Sequence, residues 1–147
     1  MLEILQTWIS PPQQIVGFED VKYALRHSSQ IVLINTLSNL EQGTLIYGTL
    51  PYDKEESIIN QWLEKRQTHI HMILYGKHST DDSAVKKQKQ LVALGFTKVF
   101  VYVGGLFEWL LLQDIYGTTE FPTTTPCKDI LKYRPPPMFS NIPLLTL

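Results

Sequence analysis

Apolar residues recur along this chain in two alternating rhythms. Phe18, Val21 and Leu25 fall at i, i+3 and i+7, which sets them on one face of a short helix. The run from Ile31 to Asn35 (IVLIN) is then continuously apolar and rich in β-branched residues, as expected of a strand covered on both faces. A second, weaker strand is predicted around Leu45 and Ile46. From Asp53 to Arg66, Asp53 and Glu56 have the spacing of a capping box, and Ile58, Ile59, Trp62 and Leu63 form an amphipathic stripe. Another strand is predicted over His71 to Tyr75, followed by the polar loop Gly76 to Asp82. A helix from about Ser83 to Leu94 is stopped by Gly95, a residue suited to a left-handed cap. Lys98 to Val103 reads as the last strand, and Gly104–Gly105 turns the chain into a Leu/Trp-rich helix.

Strands that alternate with helices require crossover connections. The predicted class is therefore α/β, a three-layer fold with about five mostly parallel strands flanked by helices. Six of the nine prolines lie between Pro122 and Pro143, together with the run Thr123–Thr125. Such a stretch continues neither a helix nor a central strand. The chain is thus divided into a domain over residues 1–120 and a Thr/Pro-rich C-terminal extension over 121–147, which is expected to lie over the body through Ile130, Leu131 and Tyr133.

Composition narrows the function classes. The 147 residues suffice for one domain burying roughly 68–70% of its unfolded surface. Thirteen Lys and Arg balance fourteen Asp and Glu, without the basic surplus that binding to nucleic acid or an anionic membrane requires. Cys127 is the single cysteine, so neither an internal disulfide nor a Cys-rich metal site is expected. The opening MLEILQTWIS has no basic residue and an interrupted apolar run, unlike a signal peptide. No stretch reaches the length of a membrane span; the best, Leu106 to Leu112, is short and contains Glu108. A cytoplasmic domain without cofactor or metal is the expectation.

Five local signatures, in order, resemble the rhodanese-like (rhodanese/Cdc25) superfamily over roughly Gln14 to Tyr116. They are Leu45-Ile46-Tyr47-Gly48-Thr49, Leu74-Tyr75-Gly76, the loop Lys77 to Asp82, Gly95-Phe96-Thr97-Lys98-Val99, and Gly104-Gly105 before Trp109. The overall likeness is to rhodanese-like proteins of large DNA viruses and protists. The resemblance implies an active-site loop spanning Gly76, Lys77, His78, Ser79, Thr80, Asp81, Asp82 and Ser83. It also places Gly76 where the family carries its nucleophilic cysteine. Sulfur and phosphoryl transfer by this family both run through that thiolate, and glycine has no side chain to replace it. The phosphatase branch ends its loop with an arginine that grips the anion; Asp81-Asp82 stand there instead. The family's upstream histidine corresponds to Leu45, and its Asp-x-Arg to Asn35-Thr36-Leu37. The resemblance, less its missing parts, implies a non-catalytic domain acting as a protein-interaction or regulatory module. The alternative is a sulfurtransferase- or phosphatase-related enzyme, or a small-anion binder, using the 76–83 loop without the usual cysteine.

Other candidates carry less chemistry. Asp81 or Asp82 is placed to cap the Ser83 helix and fill the loop with the chain's own carboxylate. Cys127 has no adjacent histidine or cation to activate it. His69 and His71 have metal-compatible spacing but lack a third ligand. His78 is the one histidine at the loop. Lys86, Lys87, Lys89 and Lys98 read as a solvated basic stripe. The helix around Phe107 and Trp109–Leu112 is apolar on more than one face, leaving a side for the C-terminal extension, with or without a second copy of the chain. The expected partner is therefore a protein, with a homodimer among the possibilities.

Overall fold

The computed structural model describes residues 14–141 and 143. Four strands are present among them: β1 (Ile15–Val16), β2 (Ile31–Asn35), β3 (His71–Tyr75) and β4 (Val99–Tyr102). Four α-helices accompany them: α1 (Phe18–Arg26), α2 (Tyr52–Glu64), α3 (Ser83–Ala93) and α4 (Gly105–Tyr116). The strand order is β1-β4-β3-β2, and every pairing is parallel. No helix among the described residues is long and apolar enough to cross a membrane. The opening segment MLEILQTWIS, read for a signal peptide, lies outside the described residues.

Side-chain alternation sends each strand's residues to two separate cores. Ile34, Met72, Leu74 and Val99 pack beneath α2 and α3, against Ile59, Leu91 and Phe96. Leu33, Ile73, Tyr75 and Tyr102 pack beneath α1 and α4, against Val21, Leu106 and Trp109. Strands covered on both faces have no polar side to display, which is why IVLIN and HMILY are unbroken apolar runs.

Three expectations need correction. The predicted strand around Leu45 and Ile46 is not part of the sheet, which has four strands among the described residues, not five. Only isolated bridges form there, Ile46 with Thr123 and Leu33 with Thr49. The polar and glycine-containing surroundings favour turns over an extended run, and Gly48 adopts φ +84°. Asp53 is not a helix cap, because α2 begins one residue earlier with Pro51 at its boundary. Proline pre-sets φ for a turn into the helix, so Asp53 falls inside the first turn, where its charge suits the helix dipole. Leu131 does not lie on the body: it is 58% exposed, whereas Ile130 is half-buried and Tyr133 fully buried.

Residues 121–133 meet the α1/α4 layer closely. Phe121 packs on Trp109 with ring centroids 5.0 Å apart, and the Trp109 indole N–H donates to the Pro122 carbonyl at 3.0 Å. The backbone N–H of Tyr47 donates to Pro122 O at 3.0 Å, and that of Thr124 to Leu45 O at 2.8 Å. One side of the apolar α4 is thereby covered. Leu111 and Ile115 remain exposed.

Candidate functional site

All four strands point the same way, so their C-terminal ends collect the loops that carry side chains for chemistry. The loop from Gly76 to Asp82 leaves β3 there and enters α3. Asp81 closes it. Its Oδ2 accepts the Lys77 backbone N–H at 2.9 Å and its Oδ1 accepts the Ser83 N–H at 3.0 Å. The Ser83 hydroxyl bonds in turn to the Thr36 hydroxyl at 2.7 Å. Burial by itself would raise the Asp81 carboxyl. The two amides, the Ser83 hydroxyl and the nearby His78 outweigh it and hold the group below the ordinary carboxylate value. Asp82 makes no capping bond and forms an exposed 3.0 Å pair with Lys86. Such a pair contributes little.

Gly76 is part of the same closure. A Cβ there would stand 2.7 Å from Asp81 Oδ2 and 3.1 Å from the Ser83 hydroxyl. The carboxylate occupies the place a side chain at 76 would take. From the other side, the amides of Leu106 and Phe107 in the first turn of α4 donate to Gly76 O at 3.0 Å and Lys77 O at 2.9 Å. This approach needs Gly105, whose φ is +68° and whose Cβ would press to 2.8 Å from Gly76 O.

The remaining loop side chains turn outwards. Lys77 forms a 2.6 Å ion pair with Glu41, and its ammonium lies 5.9 Å from the centre of the Tyr133 ring. The hydrogen bond from Lys77 keeps Glu41 below its ordinary value, against burial and with help from the Ser38 hydroxyl and the Lys132 charge. His78 Nδ1 is 3.1 Å from the Thr80 hydroxyl at the surface, and Ser79 is exposed. At the end of β2, Asn35 and Gln42 exchange amide hydrogen bonds of 2.8 and 3.1 Å. Neither residue was singled out for this pairing from sequence, since it joins a strand end to a turn seven residues later without a periodic signal. Beside the loop lies a cleft of about 340 Å³ lined by Thr36, Tyr52, Ser83, Lys86 and Lys87 among others. Lys87 is spent on an ion pair of 2.8 Å with the largely buried Glu55.

The other sequence candidates lie apart. His71 stacks on Phe100 with 6.3 Å between centroids, and both His69 and His71 are exposed. Cys127 is half-buried against the α1/α4 core. Among the described residues no three His, Cys, Asp or Glu side chains are grouped to hold a metal.

A family model for the rhodanese-like domain matches residues 19–112, more than half of the chain. The chain belongs to the rhodanese-like family. No curated protein sequence matches it. Solved structures agree on the fold. A full-length protein from Lactobacillus plantarum superposes with TM-score 0.56 at 15% identity, covering 85% of this chain and 96% of its own. The rhodanese-like domain of Alr3790 from Anabaena gives 0.55 at 16%, covering 92% and 94%. Ygr203w, a yeast protein tyrosine phosphatase of the rhodanese family, gives 0.55 at 14%, covering 78% and 94%. For a rhodanese-like domain the loop after β3 is where function is sought first. In this member that loop is tied to its own aspartate and to the turn of α4.

Proposed function

We propose that this rhodanese-like domain performs neither sulfur nor phosphoryl transfer and works in the cytoplasm by binding protein, a second copy of itself included. The reading rests on one observation: the Asp81 carboxylate, held by the amides of Lys77 and Ser83, fills the space beside Gly76. A loop that bound an oxyanion would need those amides free and would be repelled by a carboxylate already seated on them. The lack of a thiol at Gly76, aligned through the family resemblance, supports the same conclusion, as does the absence of an arginine from the loop. A single cysteine in the chain suits a reducing compartment. The exposed Leu111 and Ile115 on α4 are an apolar face available to a partner or a second copy.

A rival reading, an enzyme related to the phosphatase branch, draws on the 3.1 Å contact between His78 Nδ1 and the Thr80 hydroxyl in the loop. The purified full chain separates the two when offered thiosulfate with cyanide, and p-nitrophenyl phosphate, beside Cys127→Ser and His78→Ala. No turnover above the buffer blank is expected. Turnover that persists in Cys127→Ser and disappears in His78→Ala would overturn the binding reading in favour of the loop. Turnover lost in Cys127→Ser would overturn it in favour of a displaced thiol.

A further inference from the structure

Three consecutive prolines, Pro135, Pro136 and Pro137, follow Tyr133 and Arg134. Each proline ring holds φ near −65°, and a residue that precedes a proline is turned away from the helical region. Arg134, Pro135 and Pro136 all precede one, which confines the backbone there to polyproline II. Arg134 takes that conformation, at φ −63° and ψ 155°. Among the described residues no donor reaches the carbonyls of Arg134, Pro135 or Pro136. Polyproline II makes no internal hydrogen bonds, so these acceptors face outwards.

The run is displayed from a fixed root. Tyr133, at the end of the 3₁₀ turn Ile130–Tyr133, is 1% exposed in the core that holds Trp109. Beyond it Pro136 and Pro137 are exposed. Met138 and Phe139 are 68% and 73% exposed, at the start of a second turn, Phe139–Asn141. Folding gains little from two large apolar side chains left in water. Arg134 is exposed as well. Its guanidinium donates one hydrogen bond, to Leu131 O at 2.8 Å, and forms no ion pair among the described residues. Most of its five donors are therefore available to a ligand.

We propose that residues 134–139 are a docking segment, read by a protein partner whose groove is lined by aromatic rings and carries a carboxylate at one end. The proposal rests on the binding reading above and gives the partner a chemistry. Proline rings pack between aromatic side chains, and the carbonyls between them accept from indole N–H or phenol O–H groups. Because the backbone is fixed before contact, docking loses little conformational entropy. The Arg134 guanidinium, at the N-terminal end of the prolines, sets direction and register through a charge-assisted bond to the carboxylate. An anionic membrane surface is a poorer match. Such surfaces hold clusters of about 4–8 cations, whereas this stretch has Lys128, Lys132 and Arg134, offset by Asp129.

The test is a titration of the ¹⁵N-labelled full chain with a purified SH3, a WW and an EVH1 domain, three folds that read polyproline II through aromatic grooves. At least one is expected to bind, with its strongest amide shifts at Arg134, Met138 and Phe139. Pro136→Ala weakens that binding about tenfold, since two ring methylenes leave the contact and φ is set free. Arg134→Ala weakens it about tenfold or more, the scale of one charged hydrogen bond, and lessens its salt dependence. Both positions are exposed, so the urea midpoints of the variants stay close to the wild type. The proposal is overturned if none of the three domains binds, if the strongest shifts lie outside 131–139, or if either variant binds undiminished. Shifts at 134–139 that grow with the concentration of the chain alone would replace the partner with a second copy. Turnover in the transfer assays would sink the non-catalytic reading without moving this titration, and a failed titration would leave those assays blank, so the two failures are distinguishable.

Discussion

Gly76 and Asp81 act as a pair, each shaped by the other. With no Cβ at 76, the aspartate can reach back and hold the amides of Lys77 and Ser83. Because those two bonds tether the carboxylate, it cannot swing aside cheaply for a new methyl group. Gly76→Ala is therefore expected to cost about 1–3 kcal/mol, the range for overpacking. Asp81→Asn costs about 1 kcal/mol, as for a lost cap. In Gly76→Ala/Asp81→Ala the collision is gone, so the double variant falls short of the sum of the single alanine variants. Urea denaturation of the four variants and the wild type measures this; simple additivity would dissolve the pair. The pH dependence has a definite sign. The folded carboxyl of Asp81 is depressed, so the advantage of the wild type over Asp81→Asn stands in full above about pH 4. It fades as pH falls through the folded value, and the two proteins converge in stability at low pH.

Among the elements, the stretch from Phe121 to Tyr133 is the one whose role its composition hides. Thr124 N donates to Leu45 O and Tyr47 N to Pro122 O, while the Leu45 N–H reaches the Thr124 hydroxyl at 3.0 Å. These bonds satisfy the backbone of a segment that has no sheet partner of its own. Phe121 and Tyr133 are buried in the same core as Trp109. A chain ending at residue 120 is thus expected to lose its cooperative urea transition. Tyr133→Ala in the full chain should lose about 3–5 kcal/mol, the scale of a buried aromatic cut to alanine. A truncated chain that unfolds at the wild-type midpoint would show the segment to be a passive appendage. What the sequence made legible follows the same division. IVLIN and HMILY stand at the predicted strand bounds because double coverage writes itself as an apolar run. The loop and its two aspartates were also visible as a polar break before a helix. The bridges between 43–47 and 122–125 were not, since irregular pairing leaves no periodicity. Nor was the pairing of β1 with β4, which are neighbours in space and 86 positions apart in register (Val16 with Tyr102).

At the scale of the whole molecule, one sheet serves two cores, and each core holds its own tryptophan. Trp62 on α2 packs edge-on to Phe96 at 6.4 Å between centroids, in the α2/α3 layer. Trp109 on α4 packs against Tyr102 and Phe121 in the α1/α4 layer. Because consecutive residues of β2, β3 and β4 alternate between the layers, neither core can lose its strands without stripping the other. The two layers are expected to unfold in one transition. Trp8→Phe/Trp109→Phe leaves Trp62 as reporter, and Trp8→Phe/Trp62→Phe leaves Trp109. Within each variant, the fluorescence midpoint in urea should coincide with that of far-ultraviolet circular dichroism. Leu91→Ala in one layer and Leu106→Ala in the other should each lower the single transition by about 2–5 kcal/mol, the range for a buried leucine. A Trp109 signal that survives after helical signal is lost, or a Leu91→Ala shift seen by Trp62 alone, would mean that the layers are independent. The closed loop at the end of β3 and the covered face of α4 would then stand on separately melting halves, instead of on one rigid sheet.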